Sequence, residues 1–222
     1  MKLILALVAG SALASSAMAA QFQITLTTEY SGASSPSGPA PWGTATFTDT
    51  GANTVELTLT RASTMSHGEF ISKWMFNLDP ALTPGSLSII QNSGPVATSA
   101  TRGADETDSS FRGGGSSYFD VKFEWPTGNG ANRFDGDWTS AVFTLSMAGL
   151  NAMSFNDLGV GAGNSPNGLY TAAHIQGIGG GQSGWVTGQP LTVVPLPAAA
   201  WTGLAMLPAA GAIVAFRRRR NG

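Results

Sequence analysis

The stretch Phe119-Asp120-Val121-Lys122-Phe123-Glu124-Trp125 alternates apolar and polar residues without a break. A β-strand turns successive side chains to opposite faces, so Phe119, Val121, Phe123 and Trp125 form one inward row. Asp120, Lys122 and Glu124 then face water. The same period of two recurs where Phe22, Ile24 and Leu26 alternate with Gln23, Thr25 and Thr27. It recurs again where Val55, Leu57 and Leu59 alternate with Glu56, Thr58 and Thr60. Half-buried antiparallel strands require this pattern. Fainter signals predict strands over residues 44–49, 70–78, 87–91, 141–147, 153–156 and 170–178, with turns rich in Gly, Asn and Pro between them. About eight or nine short strands predict an all-β fold: an antiparallel two-sheet sandwich, jelly-roll-like. Outside the termini no helical period of useful length is present.

Composition points the same way. Of the 222 residues only 11% are charged, while 29 are Gly. Strands tolerate Thr and Val, and Gly supplies the left-handed backbone of turns, whereas a helical surface needs more Glu, Lys and Arg. The eleven basic residues include Lys2 and Arg217 to Arg220, which belong to the ends. That leaves six against thirteen acidic residues, a net charge of −7 for the stretch between. Nucleic acid requires the opposite sign, so it is excluded as a partner. The absence of cysteine removes disulfide scaffolds, thiolate metal sites and cysteine nucleophiles.

The two ends have a different character. Lys2, an apolar run over residues 3–14, and the small residues Ala17 and Ala19 read as a signal peptide over 1–19, cut by signal peptidase after Ala19. At the other end, Val194, Pro195, Leu196, Pro197 and Ala198 hold an extended backbone. An uncharged run over 198–216 follows, long enough at about 1.5 Å per residue to cross the ~30 Å hydrocarbon layer as a helix. Arg217, Arg218, Arg219 and Arg220 close it as a stop-transfer cluster. The predicted organisation is therefore a signal helix over 1–19, a β-rich ectodomain over 20–186, a linker over 187–193 and a tail over 194–222.

This tail, from the string VPLPAAAW (Val194 to Trp201) through the apolar run to the terminal RRRR, resembles the PEP-CTERM class of sorting signals in its VPLPA-CTERM variant. The resemblance covers about the last thirty residues. It implies recognition by an exosortase, a membrane-embedded cysteine-protease-like enzyme, with cleavage near the proline motif. It also implies a Gram-negative source that makes exopolysaccharide, with the chain held briefly at the inner membrane and then delivered to the surface or outside. Val-Pro-Leu-Pro stands where the family's type motif has Pro-Glu-Pro, which leaves the exosortase subtype open. Pro41 to Gly51 and Ala173 to Gly188 are also similar to ectodomains of that class, a looser likeness that brings no activity.

The ectodomain offers little catalytic chemistry. Its histidines, His67 and His174, read as structural or surface residues, and no Gly-x-Ser-x-Gly elbow or phosphate loop is present. No cofactor is expected, calcium apart. Asn129, Asn132, Asp135 and Asp137 offer hard oxygens in one Gly-rich loop and are calcium candidates. Trp42 and Trp138 lie near predicted turns and are candidates for stacking on sugar rings. Paired carboxylates, Asp135 with Asp137 or Asp105 with Asp108, would serve a polysaccharide hydrolase. The polar stretch 102–115 reads as a mobile loop. The expectation is a non-enzymatic exported protein of the surface or extracellular matrix, with a carbohydrate-binding module as the alternative.

Overall fold

The computed structural model describes residues 19–103, 108–115, 117–161 and 168–191. The signal segment, the tail and the acids Asp105 and Glu106 lie outside the described residues. Among those described, no helix is long and apolar enough to cross a membrane.

Among the described residues twelve strands follow one another: β1 (Gln21–Glu29), β2 (Gly43–Gly51), β3 (Thr54–Arg61), β4 (Phe70–Phe76), β5 (Ser88–Ser93), β6 (Ser99–Arg102), β7 (Arg112–Gly113), β8 (Ser117–Tyr118), β9 (Val121–Glu124), β10 (Ser140–Ser146), β11 (Thr171–Ile178) and β12 (Gln182–Leu191). The fold is all-β and antiparallel, as the period of two requires. Burial alternates residue by residue along β3 and β10 and through the first half of β1 and β2. Their inward rows, with Trp74, Phe76, Val121 and Phe123 opposite, fill one core.

The hydrogen bonding differs from two separate sheets. Ten strands form one sheet in the order β5-β10-β3-β2-β1-β12-β11-β4-β9-β6, with β7 and β8 as a small ladder apart. The strands at its two edges, β5 and β6, are joined by residues 94–98 alone. A chain that short reaches only about 20 Å, so the sheet curls until its edges approach, making a nearly closed barrel. Across the interior the ring centroids of Phe123 and Phe143 lie 4.5 Å apart, and those of Phe47 and Phe76 lie 5.3 Å apart. Two halves therefore face each other as in a sandwich, while the β1–β12 ladder bonds them along one side.

That ladder also corrects the linker. Of the residues 187–193 expected to form a stalk, those up to Leu191 belong to β12, which pairs with the central strand β1. Thr187 is buried, and Gly188 sits so close to β1 that a β-carbon there would lie 1.8 Å from the Thr25 carbonyl oxygen. Gly, Gln and Pro read as linker in sequence; here the missing side chain is what lets two backbones meet. Two other corrections are local. Residues 153–156 are not a strand: a 3-10 turn, Ala152–Phe155, stacks Phe155 on Phe47 at 4.2 Å. In the opening stretch only Val121–Glu124 is strand, and Phe119 turns outward to pack on Met75 and Ala172.

The registers fix two ends. Gln23 of β1 stands opposite Leu191 of β12, so the chain enters and leaves the barrel side by side. Residues 77–87, 147–161 and 168–170 lie at this entry end, after β4 and β10 and before β11. Residues 30–42, 62–69 and 125–139 lie at the far end.

Candidate functional site

The far end holds most of the residues that the sequence suggests for binding. Trp42 is only 6% exposed, lies in the core, and donates its indole N–H to the Gly38 carbonyl at 3.2 Å. It offers no face to a sugar, which corrects the expectation from its turn-like surroundings. Trp138 is half-buried against the core, with its N–H held by the Ala131 carbonyl at 2.7 Å.

The four calcium candidates come together around a cation of the chain's own. Arg133 donates from Nε to Asp135 Oδ2 at 2.7 Å and from Nη1 to Asn129 Oδ1 at 2.5 Å, and its guanidinium lies over the Phe70 ring. The Asp137 N–H bonds to Asp135 Oδ1, Asn132 Oδ1 accepts from the Val96 N–H, and Asp137 faces His67 Nε2 at 3.0 Å. A guanidinium, an imidazole and backbone amides take the oxygens proposed for a metal. The calcium expectation at this loop is corrected, and Arg133 in its middle was the signal. The same contacts hold Asp135 and Asp137 in structural pairs, so they are not free as a hydrolase's acid and base. Among the described residues no group of three or more His, Cys, Asp or Glu side chains is placed to hold a metal.

A second far-end network was missed in the sequence. Arg61 is 5% exposed and donates to the carbonyl oxygens of Ala62, Met65, Ser66 and Glu69. Glu69, also buried, accepts from the N–H and hydroxyl of Ser37 and from the Ser66 N–H. Burial pulls the Arg61 guanidinium below its ordinary pKa, opposed by the charges of Glu69 and Asp135. Arg61 extends the inward row Val55, Leu57, Leu59, and a charge on an apolar row is the legible sign of a buried tie.

On the outer face of β4 and β11, Ser72 Oγ lies 2.9 Å from His174 Nδ1 and accepts from Gln176 Nε2 at 2.9 Å. The His174 ring stacks on Trp185 at 4.8 Å. Burial, and then the charge of Lys73, lower its pKa and keep it neutral at pH 7. Beside it Lys73 and Glu124 pair at 3.0 Å on the wall of a shallow hollow of about 290 Å³. A hydroxyl against an imidazole is half of a nucleophile–base pair. Ser72 is only 2% exposed, however, and no carboxylate among the described residues bonds to the ring. The strip is a packed polar patch that secures the bulge in β4.

At the entry end a cavity of about 270 Å³ is lined by Asn77, Tyr118, Asp120, Asp157 and Gly159, with Leu78 and others around them. Asn77 is 1% exposed, and its Nδ2 donates to the carbonyl of Leu169 at 2.7 Å and to those of Asp157 and Tyr170 at 3.4 Å. Its Oδ1 is buried without a hydrogen-bond partner among the described residues. Asp120, 6% exposed, accepts the Leu78 N–H at 2.8 Å. Sequence reading passed over Asn77, although an amide closing the apolar run Trp74-Met75-Phe76 was visible.

The sorting residues Val194 to Ala198, the signal-peptidase residues Ala17 and Ala19, and Arg217 to Arg220 lie outside the described residues. Compared with family models, curated proteins and solved structures, the chain matches none.

Proposed function

We propose that this is an exported, non-enzymatic protein of the cell surface or extracellular matrix, processed by an exosortase through Val194 to Ala198. The observation that carries the reading is the order of the tail: proline motif, uncharged run, four arginines. Oil-like residues ahead of a basic cluster partition into lipid and stop there, which brings the motif to a membrane protease. Signal peptidase, the inner membrane and the exosortase are the partners in that sequence of events, with exopolysaccharide as the destination.

The barrel supports the reading in two ways. Its last strand runs to Leu191, so the folded unit closes just before the motif begins at Val194. Its first strand starts at Gln21, just after the expected cut at Ala19, and lies beside the last. Both processing events thus fall beyond the sheet, and neither disturbs a strand. The polar pairs of the far end and outer face serve packing, which favours a binding or structural role over catalysis. In this reading the two facing halves are a jelly-roll-like sandwich bonded along one side.

Replacing Pro195 and Pro197 by alanine tests it. The expected result is a larger species that stays with the membrane fraction, seen on a blot of cell fractions. Unchanged mobility and release would overturn the proposal.

A further inference from the structure

We propose that Asn129 is a site of spontaneous covalent modification, deamidated by attack of the Gly130 backbone nitrogen. The far-end loop sets the parts of that reaction side by side. The nucleophile is free: Gly130 gives its carbonyl to the Arg133 N–H at 3.2 Å, while its own N–H has no acceptor among the described residues. It is also uncrowded, since a β-carbon on Gly130 would meet nothing within 4 Å. Any other residue would set its own side chain beside the attacking nitrogen. Asn151 shows the contrast. The next nitrogen, that of Ala152, is engaged with Asp49 Oδ1 at 2.6 Å, and Ala152 is buried.

The electrophile is primed by Arg133. Asn129 Oδ1 accepts from its Nη1 at 2.5 Å, so a guanidinium draws electrons from the carbon under attack. The same N–H faces the oxygen on which negative charge develops in the tetrahedral intermediate. Arg133 is itself fixed, by Asp135 Oδ2 at 2.7 Å and by the Phe70 ring. Asn129 and Gly130 are both exposed, so water reaches them.

The bonds balance with water as the sole co-reactant. The Gly130 nitrogen bonds to Asn129 Cγ, the bond from Cγ to Nδ2 breaks, and ammonia leaves with the proton that Gly130 gave up. Water then opens the five-membered imide at either carbonyl, leaving aspartate or isoaspartate. In the first product a carboxylate replaces the amide before Arg133, which then stands between two acids. In the second the main chain is longer by one carbon just ahead of the turn from Gly130 to Arg133. Either way the loop becomes one charge more negative.

The test incubates the full-length chain in mild detergent, well below its unfolding temperature, and follows its peptides by mass spectrometry. The peptide holding Asn129 should exchange NH2 for OH with time, faster at pH 8 than at pH 6, because the attacking nitrogen must lose its proton. Aspartate and isoaspartate should both appear, and Asn151 should keep its amide. Gly130→Ala should slow the change about tenfold or more. Arg133→Met, which keeps an apolar stem beside Phe70, should slow it about threefold or more. An Asn129 that keeps its amide while Asn221, also followed by glycine, loses its own would overturn the proposal. Aspartate as the sole product would overturn the imide route. An equal or faster rate in Arg133→Met would overturn the part given to the guanidinium.

Discussion

The two ends of the barrel carry similar polar side chains and use them in opposite ways. At the far end the oxygens of Asn129, Asp135 and Glu69 are met by Arg133, Ser37 and backbone amides, and Arg61 fills four carbonyls. At the entry end Asn77 spends its N–H groups on carbonyls, and its oxygen is buried against Gly159 with no hydrogen-bond partner among the described residues. Density of Asn and Asp in sequence therefore says little about a site. What separates Asn77 from the far-end network is whether the buried side-chain oxygen meets a donor.

The comparison breaks first at Arg61, if the far end is not held from within. Arg61→Ala would leave carbonyls of residues 62–69 and the Glu69 carboxylate without their cation. Losing one partner of a buried charged network costs about 3–5 kcal/mol. Urea unfolding should show that loss. A change under about 1 kcal/mol would mean that water replaces the guanidinium and that the far end is wetter than its burial suggests.

Gly159→Ala sharpens the other side. The added methyl falls on the Tyr118 carbonyl and on Asn77 Oδ1, so wall and orphan oxygen must shift together. Overpacking of this kind costs about 1–3 kcal/mol, less than the loss of Arg61. Urea midpoints of the two chains should show that loss. A change under about 0.5 kcal/mol would mean that the wall yields to the methyl without strain.

How much of this was legible follows from the range of each signal. Alternation is local, and it located β1, β3, β10 and the core row Val121, Phe123 and Trp125. It is silent on which strands pair, so one curled sheet and two flat ones read alike. β12 escaped because its inward row runs through Gly188 and Pro190, residues that read as turn or linker in sequence. The 3-10 turn at Phe155 escaped because four residues cannot distinguish a period of two from one of three. For the sites the failure ran the other way. Asn129, Asn132, Asp135 and Asp137 attracted notice as a cluster, yet Arg133 among them already supplied the charge. Asn77 was a single polar letter after three apolar ones, and its burial depends on Gly159 and the Leu169 carbonyl, which come near it only once the barrel closes.

The smallest expected effect lies on the outer face and asks whether partnering holds in one charge state only. His174 Nδ1 faces the Ser72 hydroxyl at 2.9 Å and the Gln176 amide at 3.3 Å, both of which can donate to it. A neutral ring accepts; a protonated ring turns that acceptor into a donor and adds a charge near Lys73. Burial and Lys73 accordingly set the folded pKa below the usual value of 6.5. The unfolded state then binds the proton more readily, so the contribution of His174 is whole above pH 6.5 and fades as pH falls from there toward the folded pKa. Urea midpoints at pH 7.5 and pH 5 should differ by more in the unaltered chain than in His174→Gln, which cannot titrate. Equal differences would show that carboxylates carry all the acid sensitivity and that the Ser72–His174–Gln176 contacts tolerate either charge state.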